Sequence, residues 1–518
     1  MLDDEARLTW SEFADRVARA AGVLRGHGLR RGDRYALIMR NSFRQAELTW
    51  GGYWSGIVPV PVNWRLSPVE IAAILKDAGC ALVAAEEEFL PLLDTPALGE
   101  WKKTLLQVES AGSRRADYES LLAATAPVPA ESVAENDDAI LIYTGGTTGV
   151  SKGVRLSHRN ILTNAWQIGL TTGIRASDTY AHVVPMFHSA DLHGTIGYLL
   201  GARHVYVPHF SPDAVGAAIE RHRVSAVQLV PTMIRMVADS PGFDRYDVSS
   251  LRLLVYGSSP MPVEWARAAR VRFPGVEIHG CYGLTETAPI LTVLDHEAHL
   301  RCFESGDASL LKSAGKPVPG VQMRVVDDDD NPLPTGKPGE VVVRGANVTA
   351  GYHNRDSENA QAFRGGWFHT GDVGRFDDEG YLYLVDRKKD MIVTGGENVY
   401  SSEVEAVLYR HPGVAEAAVI GVPDERLGEA LFAVIACKPG TAPTTADIIA
   451  HCREHIGGYK IPRQMAFVDA LPRSAIGKVQ KSALRKTYGA QAHGAAGEPE
   501  HGTAHDGAHA QENPAGTH

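Results

Sequence analysis

The chain has 518 residues, 44% of them hydrophobic, and a formal net charge of −11. That length is more than one ordinary core serves, so two or more domains are expected, with the composition of a globular protein rather than a disordered one. The acidic balance argues against nucleic-acid binding by phosphate neutralisation. Five dispersed cysteines (Cys80, Cys281, Cys302, Cys437, Cys452) lack Cys-x-x-Cys spacing, which speaks for reduced thiols and against a disulfide framework or zinc site. The first residues are acidic with no apolar signal-peptide core, and no apolar run approaches the ~20 residues that span a bilayer. A soluble, cytoplasmic protein without a transmembrane segment is predicted.

Apolar residues at helical spacing predict a helix over 11–29, with Ser11 as its cap, followed by a strand at 35–39. A helix at 41–55 and a strand at 58–62 follow, and the alternation continues through 71–75 and 81–84. After an apolar strand-like segment at 139–143 comes a glycine-rich loop. Then the alternation resumes: helices at 157–170, 192–200 and 213–222, strands at 179–184, 204–208, 226–230, 252–256 and 277–280. This pattern predicts α/β layers with largely parallel strands, whose ligands collect at the strands' carboxyl ends. From Gly315 the texture changes to strands at 322–326, 339–344 and 381–384 between Pro/Gly/Asp turns, a small β-rich subdomain. A C-terminal α+β domain is predicted from helices at 402–410 and 445–455 and strands at 414–422 and 429–436. Residues 491–518 lack large apolar side chains and are expected to be a disordered tail, in which His501, His505 and His509 are solvated rather than metal-binding.

The loop Tyr143-Thr-Gly-Gly-Thr-Thr-Gly-Val-Ser-Lys-Gly-Val154 carries the strongest chemical signal. Glycines let backbone N–H groups line an anion nest, threonine hydroxyls add donors and Lys152 adds charge, which is equipment for a polyphosphate. No Walker A string can be aligned to it. Other strings read blandly when taken singly. Gly280-Cys-Tyr-Gly-Leu-Thr-Glu-Thr287 could be a strand end with a turn, and Gly257-Ser-Ser-Pro-Met261 a strand-to-helix turn. In His369-Thr-Gly-Asp372 the Asp could be a turn residue. Asp386-Arg-Lys-Lys-Asp390 could be a charged linker, and Lys478 in Pro472-Arg-Ser-Ala-Ile-Gly-Lys478 a solvated lysine.

As an ordered set from Tyr143 to Lys478, these strings resemble the signatures of the AMP-forming acyl-adenylate synthetases. The segment 391–405, with Thr394-Gly-Gly-Glu-Asn-Val-Tyr400, looks like the acyl-CoA synthetase branch. The phosphate loop departs from the usual pattern at Gly145 and Ser151 and keeps Thr147, Thr148, Gly149 and Lys152. The family ordinarily has a further stretch before the segment starting at Leu8, which leaves a longer N terminus open. The resemblance implies ATP, Mg²⁺ and CoA as cofactor and co-substrates. Thr144, Gly145, Gly146, Thr147, Thr148, Gly149 and Lys152 would hold phosphates. Ser258 and Gly283 would lie along the nucleotide, Tyr282 would stack on adenine, and Thr285 would reach the α-phosphate. Glu286 would hold Mg²⁺ and Asp372 the ribose hydroxyls, with Arg387 at ribose or phosphate. Gly395, Gly396, Glu397 and Asn398 would face CoA. His188, in Pro185-Met-Phe-His188, would lie near the substrate carboxylate, while His182 and His204 read as core histidines. Lys478 would be the catalytic lysine, with Thr147, His188 and Glu286 beside it, and Lys389 the hinge.

The implied architecture is α/β. Residues 1–386 form a large N-terminal domain of parallel layers that includes the β-rich subdomain at about 315–386. A hinge at 387–389 leads to a mobile α+β domain at 390–486 and a tail at 487–518. The implied reaction is ATP-dependent conversion of a hydrophobic carboxylic acid to its CoA thioester through acyl-AMP. Alternatives are a ligase for hydroxycinnamate-type acids, an acyl-AMP ligase loading a separate carrier protein, and a non-catalytic nucleotide-binding protein. A homodimer is left open.

Overall fold

Thr9, not Ser11, starts the first helix (Trp10–Gly26): its hydroxyl accepts the Glu12 N–H, and the Glu12 carboxylate accepts the Thr9 N–H at 2.7 Å. Such a reciprocal cap satisfies two otherwise orphaned N–H groups, and removing one like it costs about 1 kcal/mol. The helix stops at Gly26, short of the expected 29, and buries Phe13, Val17, Ala20, Ala21 and Leu24. The computed structural model describes residues 1, 6–109, 117–144, 151–387, 390–394, 397–424, 426–473 and 479–489. The chain divides into two compact units, Met1–Lys389 with Arg473–Val479, and Asp390–Pro472 with Gln480–His518.

In the first unit the expected alternation produces two parallel layers. Strands Val58–Pro61, Arg34–Ile38, Cys80–Glu86 and Leu105–Val108 lie side by side in that order, all parallel. A seven-stranded sheet runs Lys316–Pro317, Thr292–Leu294, Glu277–Tyr282, Leu253–Gly257, Ala226–Leu229, Thr179–His182, Arg203–Tyr206. Its last five strands are parallel, whereas Thr292–Leu294 and Lys316–Pro317 add on antiparallel. Val227, Leu229, Leu254, Tyr256 and Ile278 fill one face with Val215, Ile219, Ile234 and Ala269 from the helices Pro212–His222, Pro231–Asp239 and Val263–Arg272. Tyr180, Ala226, Leu253 and Val255 fill the other against Ala165 and Ile168 of the helix His158–Thr172 and Ile196 of the helix Thr195–Leu200. The expected helix at 192–200 is in fact two pieces, a 3-10 stretch Ser189–Gly194 leading into Thr195–Leu200.

The phosphate loop does not lead straight into a helix. It joins two antiparallel strands, Asp138–Thr144 and Lys152–Ser157, a hairpin whose second arm was not anticipated. The β-rich region is an antiparallel sheet in the order Gln322–Val326, Gly339–Arg344, Phe368–Phe376, Leu382–Arg387. In the second unit, Glu397–Val399, Ile392–Thr394, Gly428–Cys437 and Val414–Asp424 pair antiparallel, with Gln464–Val468 parallel to Gly428–Cys437. Val404, Val407, Val419, Ala433, Ile435 and Ile448 form its core. Among the described residues no helix is long and apolar enough to cross a membrane.

Candidate active site

The carboxyl ends of the central strands are built for close approach. At Gly257 an added Cβ would lie 2.7 Å from the Cys281 carbonyl of the neighbouring strand, so no side chain fits there. Ser258 follows with φ +70°, a left-handed backbone that is uncommon for a residue with a side chain and clusters at functional sites. One strand over, Glu277–Tyr282 ends at Gly283, where a Cβ would sit 2.0 Å from the Pro289 carbonyl. The chain then turns through Thr285–Thr287, a short 3-10 segment. Thr349 N–H to the Glu286 carbonyl (2.8 Å) and Asn347 Nδ2 to the Thr287 carbonyl (2.9 Å) hold that turn in place.

Around this turn the structure gathers residues that lie far apart in sequence. The Tyr282 hydroxyl donates to Asp372 Oδ2 at 2.6 Å across 90 residues. Asp372 is buried within the strand Phe368–Phe376, not in a turn after it, and its N–H donates to Thr370 Oγ1 at 3.1 Å. Across the ladder its partner is Arg387. The Tyr352 hydroxyl donates to Glu286 Oε1 at 2.8 Å, and Lys152 Nζ stands 5.2 Å from the Tyr352 ring centroid. Lys152 faces Thr144 at the loop end of the hairpin. Ser189 and Thr285 share a hydroxyl–hydroxyl hydrogen bond of 2.8 Å, which brings the neighbouring His188 beside the turn. The His188 Nδ1 accepts the Ala190 N–H at 3.1 Å. His182 and His204 are buried and hydrogen-bonded to each other at 2.8 Å, as core histidines should be.

Gly145, Gly146, Thr147, Thr148, Gly149, Lys389, Gly395, Gly396 and Lys478 lie outside the described residues. Glu397 and Asn398 are placed by their backbone in the strand Glu397–Val399. Tyr352 escaped the sequence reading, since Ala350-Gly-Tyr-His-Asn354 fits no signature, and only the fold brings its ring between Lys152 and Glu286. Its backbone is held beside the hairpin by His353 N–H to the Gly153 carbonyl (2.8 Å).

One Glu286 oxygen accepts from a neutral donor, the Tyr352 hydroxyl. Among the described residues no three or more His, Cys, Asp or Glu side chains converge on a metal. A single half-buried carboxylate suits Mg²⁺, which prefers few protein ligands plus phosphate and water oxygens. Tyr352→Phe removes only the hydroxyl that orients this carboxylate. Loss of such a partner is expected to raise the Mg²⁺ concentration needed for half-maximal activity by ~10-fold, read from Mg²⁺ titrations at saturating nucleotide. An unchanged Mg²⁺ requirement would count against Glu286 as the residue that holds the ion.

The fold and this arrangement of residues define an adenylate-forming enzyme. The chain belongs to the AMP-binding enzyme family, whose model matches residues 1–353, with the AMP-binding enzyme C-terminal domain matching 403–478. It is 37% identical over 485 residues to a feruloyl-CoA synthase of Amycolatopsis sp, covering 93% of this chain and 94% of that protein. It is 34% identical over 488 residues to the long-chain-fatty-acid–CoA ligase FadD13 of Mycobacterium tuberculosis, covering 94% of each. The crystal structure of ATP-bound MatB from Rhodopseudomonas palustris superposes with a TM-score of 0.85 at 28% identity, over 94% of this chain and 95% of that one. The protein is an AMP-forming acyl-CoA synthetase: ATP and an acid give acyl-AMP, and CoA takes the acyl group as a thioester.

Proposed function

We propose that the acid is a hydrophobic monocarboxylate, a medium-to-long fatty acid or a phenylpropenoic one, and that the gathered residues act on it as follows. The observation that supports these roles is the path of side chains from Lys152 through Tyr352 to Glu286, and from Tyr282 to Asp372, at one end of the central sheet. Thr144, the 145–149 loop and Lys152 bind the phosphates, Thr285 the α-phosphate, Tyr282 and Ser258 the adenine, and Asp372 with Arg387 the ribose. Glu286 holds Mg²⁺, which neutralises phosphate charge when bound. A carboxylate is a poor electrophile; attack of its oxygen on the α-phosphorus expels pyrophosphate and leaves a mixed anhydride with AMP as leaving group. His188 lies near that carboxylate, and Lys478 offsets the charge of the two anions that meet. Gly395, Gly396, Glu397 and Asn398 flank the path of the CoA thiol. The same reading places the protein in the cytoplasm, and sedimentation velocity decides between one copy and a homodimer.

The test is ATP, Mg²⁺ and a panel of acids, with and without CoA, read as pyrophosphate, AMP and thioester. Thioester only with CoA is expected. Pyrophosphate without thioester would favour a carrier-protein acceptor, and exclusive turnover of an amino acid would overturn the reading. The domain scheme is part of the proposal: residues 1–386 and 390–486 move about Lys389 between the two half-reactions. Lys389→Pro, which fixes φ near −65°, is expected to release pyrophosphate normally and to form thioester very slowly. Equal slowing of both steps would point to misfolding instead.

A further inference from the structure

Inside the large sheet, directly below the candidate site, lie polar atoms that the fold leaves unused. Gln228, Val255 and His279 are register partners on three adjacent parallel strands, so their side chains form one row on one face. That face is otherwise apolar, lined by Ala226, Leu253, Ile168 and Ile196. Gln228 is 5% exposed and His279 7% exposed. Gln228 Oε1 and both ring nitrogens of His279 have no hydrogen-bond partner among the described residues. His193, fully buried in the Ser189–Gly194 turn, adds a third such group through Nε2, while its Nδ1 lies 3.4 Å from the Tyr180 hydroxyl.

The row sits where an acyl chain would run. Val255 precedes Gly257 by two residues and His279 precedes Tyr282 by three, which sets the row about 7–10 Å below the strand ends. The turn that carries His193 begins at Ser189, whose hydroxyl bonds Thr285 beside Glu286. Buried polar atoms are nearly always paired, because leaving one unpaired forfeits its hydration without return. Several unpaired atoms in one row therefore call for a partner from outside the chain. Burial holds His193 down to about 3, with His279 adding to the effect, and burial holds His279 down to about 4. Both imidazoles are neutral at pH 7, each with one donor and one acceptor, and Gln228 adds a carbonyl. A neutral donor–acceptor set matches a hydroxyl or carbonyl and mismatches a second carboxylate, because the row itself supplies no cation.

We propose that Gln228, His193 and His279 hydrogen-bond a hydroxyl or carbonyl group on the acid, remote from its carboxylate, so that oxygenated acids are preferred over hydrocarbon acids of the same size. The inference rests on the acid–CoA ligase reading above and narrows it from hydrophobic acids in general to those with one neutral polar group.

The test compares kcat/KM for pyrophosphate release on matched sets: cinnamic against 4-hydroxycinnamic acid, and decanoic against 10-hydroxydecanoic and decanedioic acid. The wild type is expected to favour the hydroxylated member of at least one pair by about tenfold or more, the scale of one net hydrogen bond. Gln228→Leu and His279→Leu should each reduce that ratio by about tenfold, the loss of one net hydrogen bond. If His279→Leu does not fold, Gln228→Leu, which keeps the side chain's size, decides. A ratio at or below one for both pairs would overturn the proposal. So would ratios unchanged in the variants, which would assign the row to structural water, or a preference for the diacid. Absence of pyrophosphate with every acid would overturn the ligase reading itself, and this inference with it. Pyrophosphate release on plain acids alone would leave that reading standing and overturn only the proposal made here.

Discussion

Lys478→Ala is expected to lower pyrophosphate release by about a hundred- to a thousandfold, the range seen when one preorganised group that stabilises transition-state charge is removed. Thiolysis of supplied acyl-AMP should change little. The reason lies in what each half-reaction brings together. Adenylation drives a carboxylate against a triphosphate, and a cation at the meeting point offsets a repulsion that a water-excluding site would magnify. Once the anhydride exists, the acyl carbon is neutral and that problem is gone. The segment that carries Lys478 leaves and re-enters the described chain at Arg473 and Val479, which are bridged antiparallel. On its near side, Lys481 is already committed, with Nζ 2.7 Å from Glu405 Oε1 and 2.5 Å from Ser401 Oγ. It is thus not a ready substitute for Lys478. Acetylation of Lys478 would remove the same charge and should reproduce the alanine phenotype. Normal pyrophosphate release by the variant would assign the role to another group.

The parts of this molecule legible in the sequence are those where a local pattern decides structure. Alternating helical and β-branched runs give the parallel layers, and the strands Gln322–Val326 and Gly339–Arg344 fall between the Pro/Gly/Asp turns that bracket them. Tyr282, Glu286 and Asp372 were singled out from short strings. That Tyr282 and Asp372 touch could not be read there, because a 90-residue separation is closed only by the packing of the antiparallel sheet beside the parallel one. The second hairpin strand, Lys152–Ser157, was missed because a Lys-Gly start reads as loop until its partner is known. The Ser11 cap is wrong because Thr9-x-x-Glu12 carries the reciprocal capping pattern two residues earlier. The polar row is invisible for a deeper reason. Gln228, Val255 and His279 become neighbours through parallel register, which crossover helices set at a distance and no local period encodes.

Acid should unfold the first unit well before its surface carboxylates titrate, and buried histidines are the cause. His299 shows why. Its Nδ1 donates to the Asp295 carbonyl at 2.7 Å, and its Nε2 lies 3.0 Å from the Tyr256 hydroxyl, from which a neutral ring accepts. Burial, outweighing that carbonyl, holds it down to about 4; His279 lies at about 4, His193 at about 3, and His204 is also held well below the ordinary range by burial. Unfolded imidazoles titrate near 6.5, so between that pH and about 4 the unfolded chain binds protons that the folded chain refuses. The stability these rings contribute is complete above pH 6.5 and is lost as pH falls toward 4. Two carboxyls act oppositely: burial pushes Glu86 up to about 7 and raises Glu47, so the folded form binds protons there first. The lowered rings, among them also His158, His209 and His353, outnumber the raised carboxyls, so unfolding takes up protons and stability falls as the pH drops below 6.5. All eight tryptophans lie before residue 368, within the unit that holds these groups, so their fluorescence reports it alone. Urea midpoints measured in steps from pH 7 to pH 5 should fall steadily, and His299→Gln, which keeps one donor and one acceptor but cannot titrate, should flatten the fall by about one proton. A midpoint that held constant or rose as the pH dropped would mean that these rings are already protonated in the folded protein.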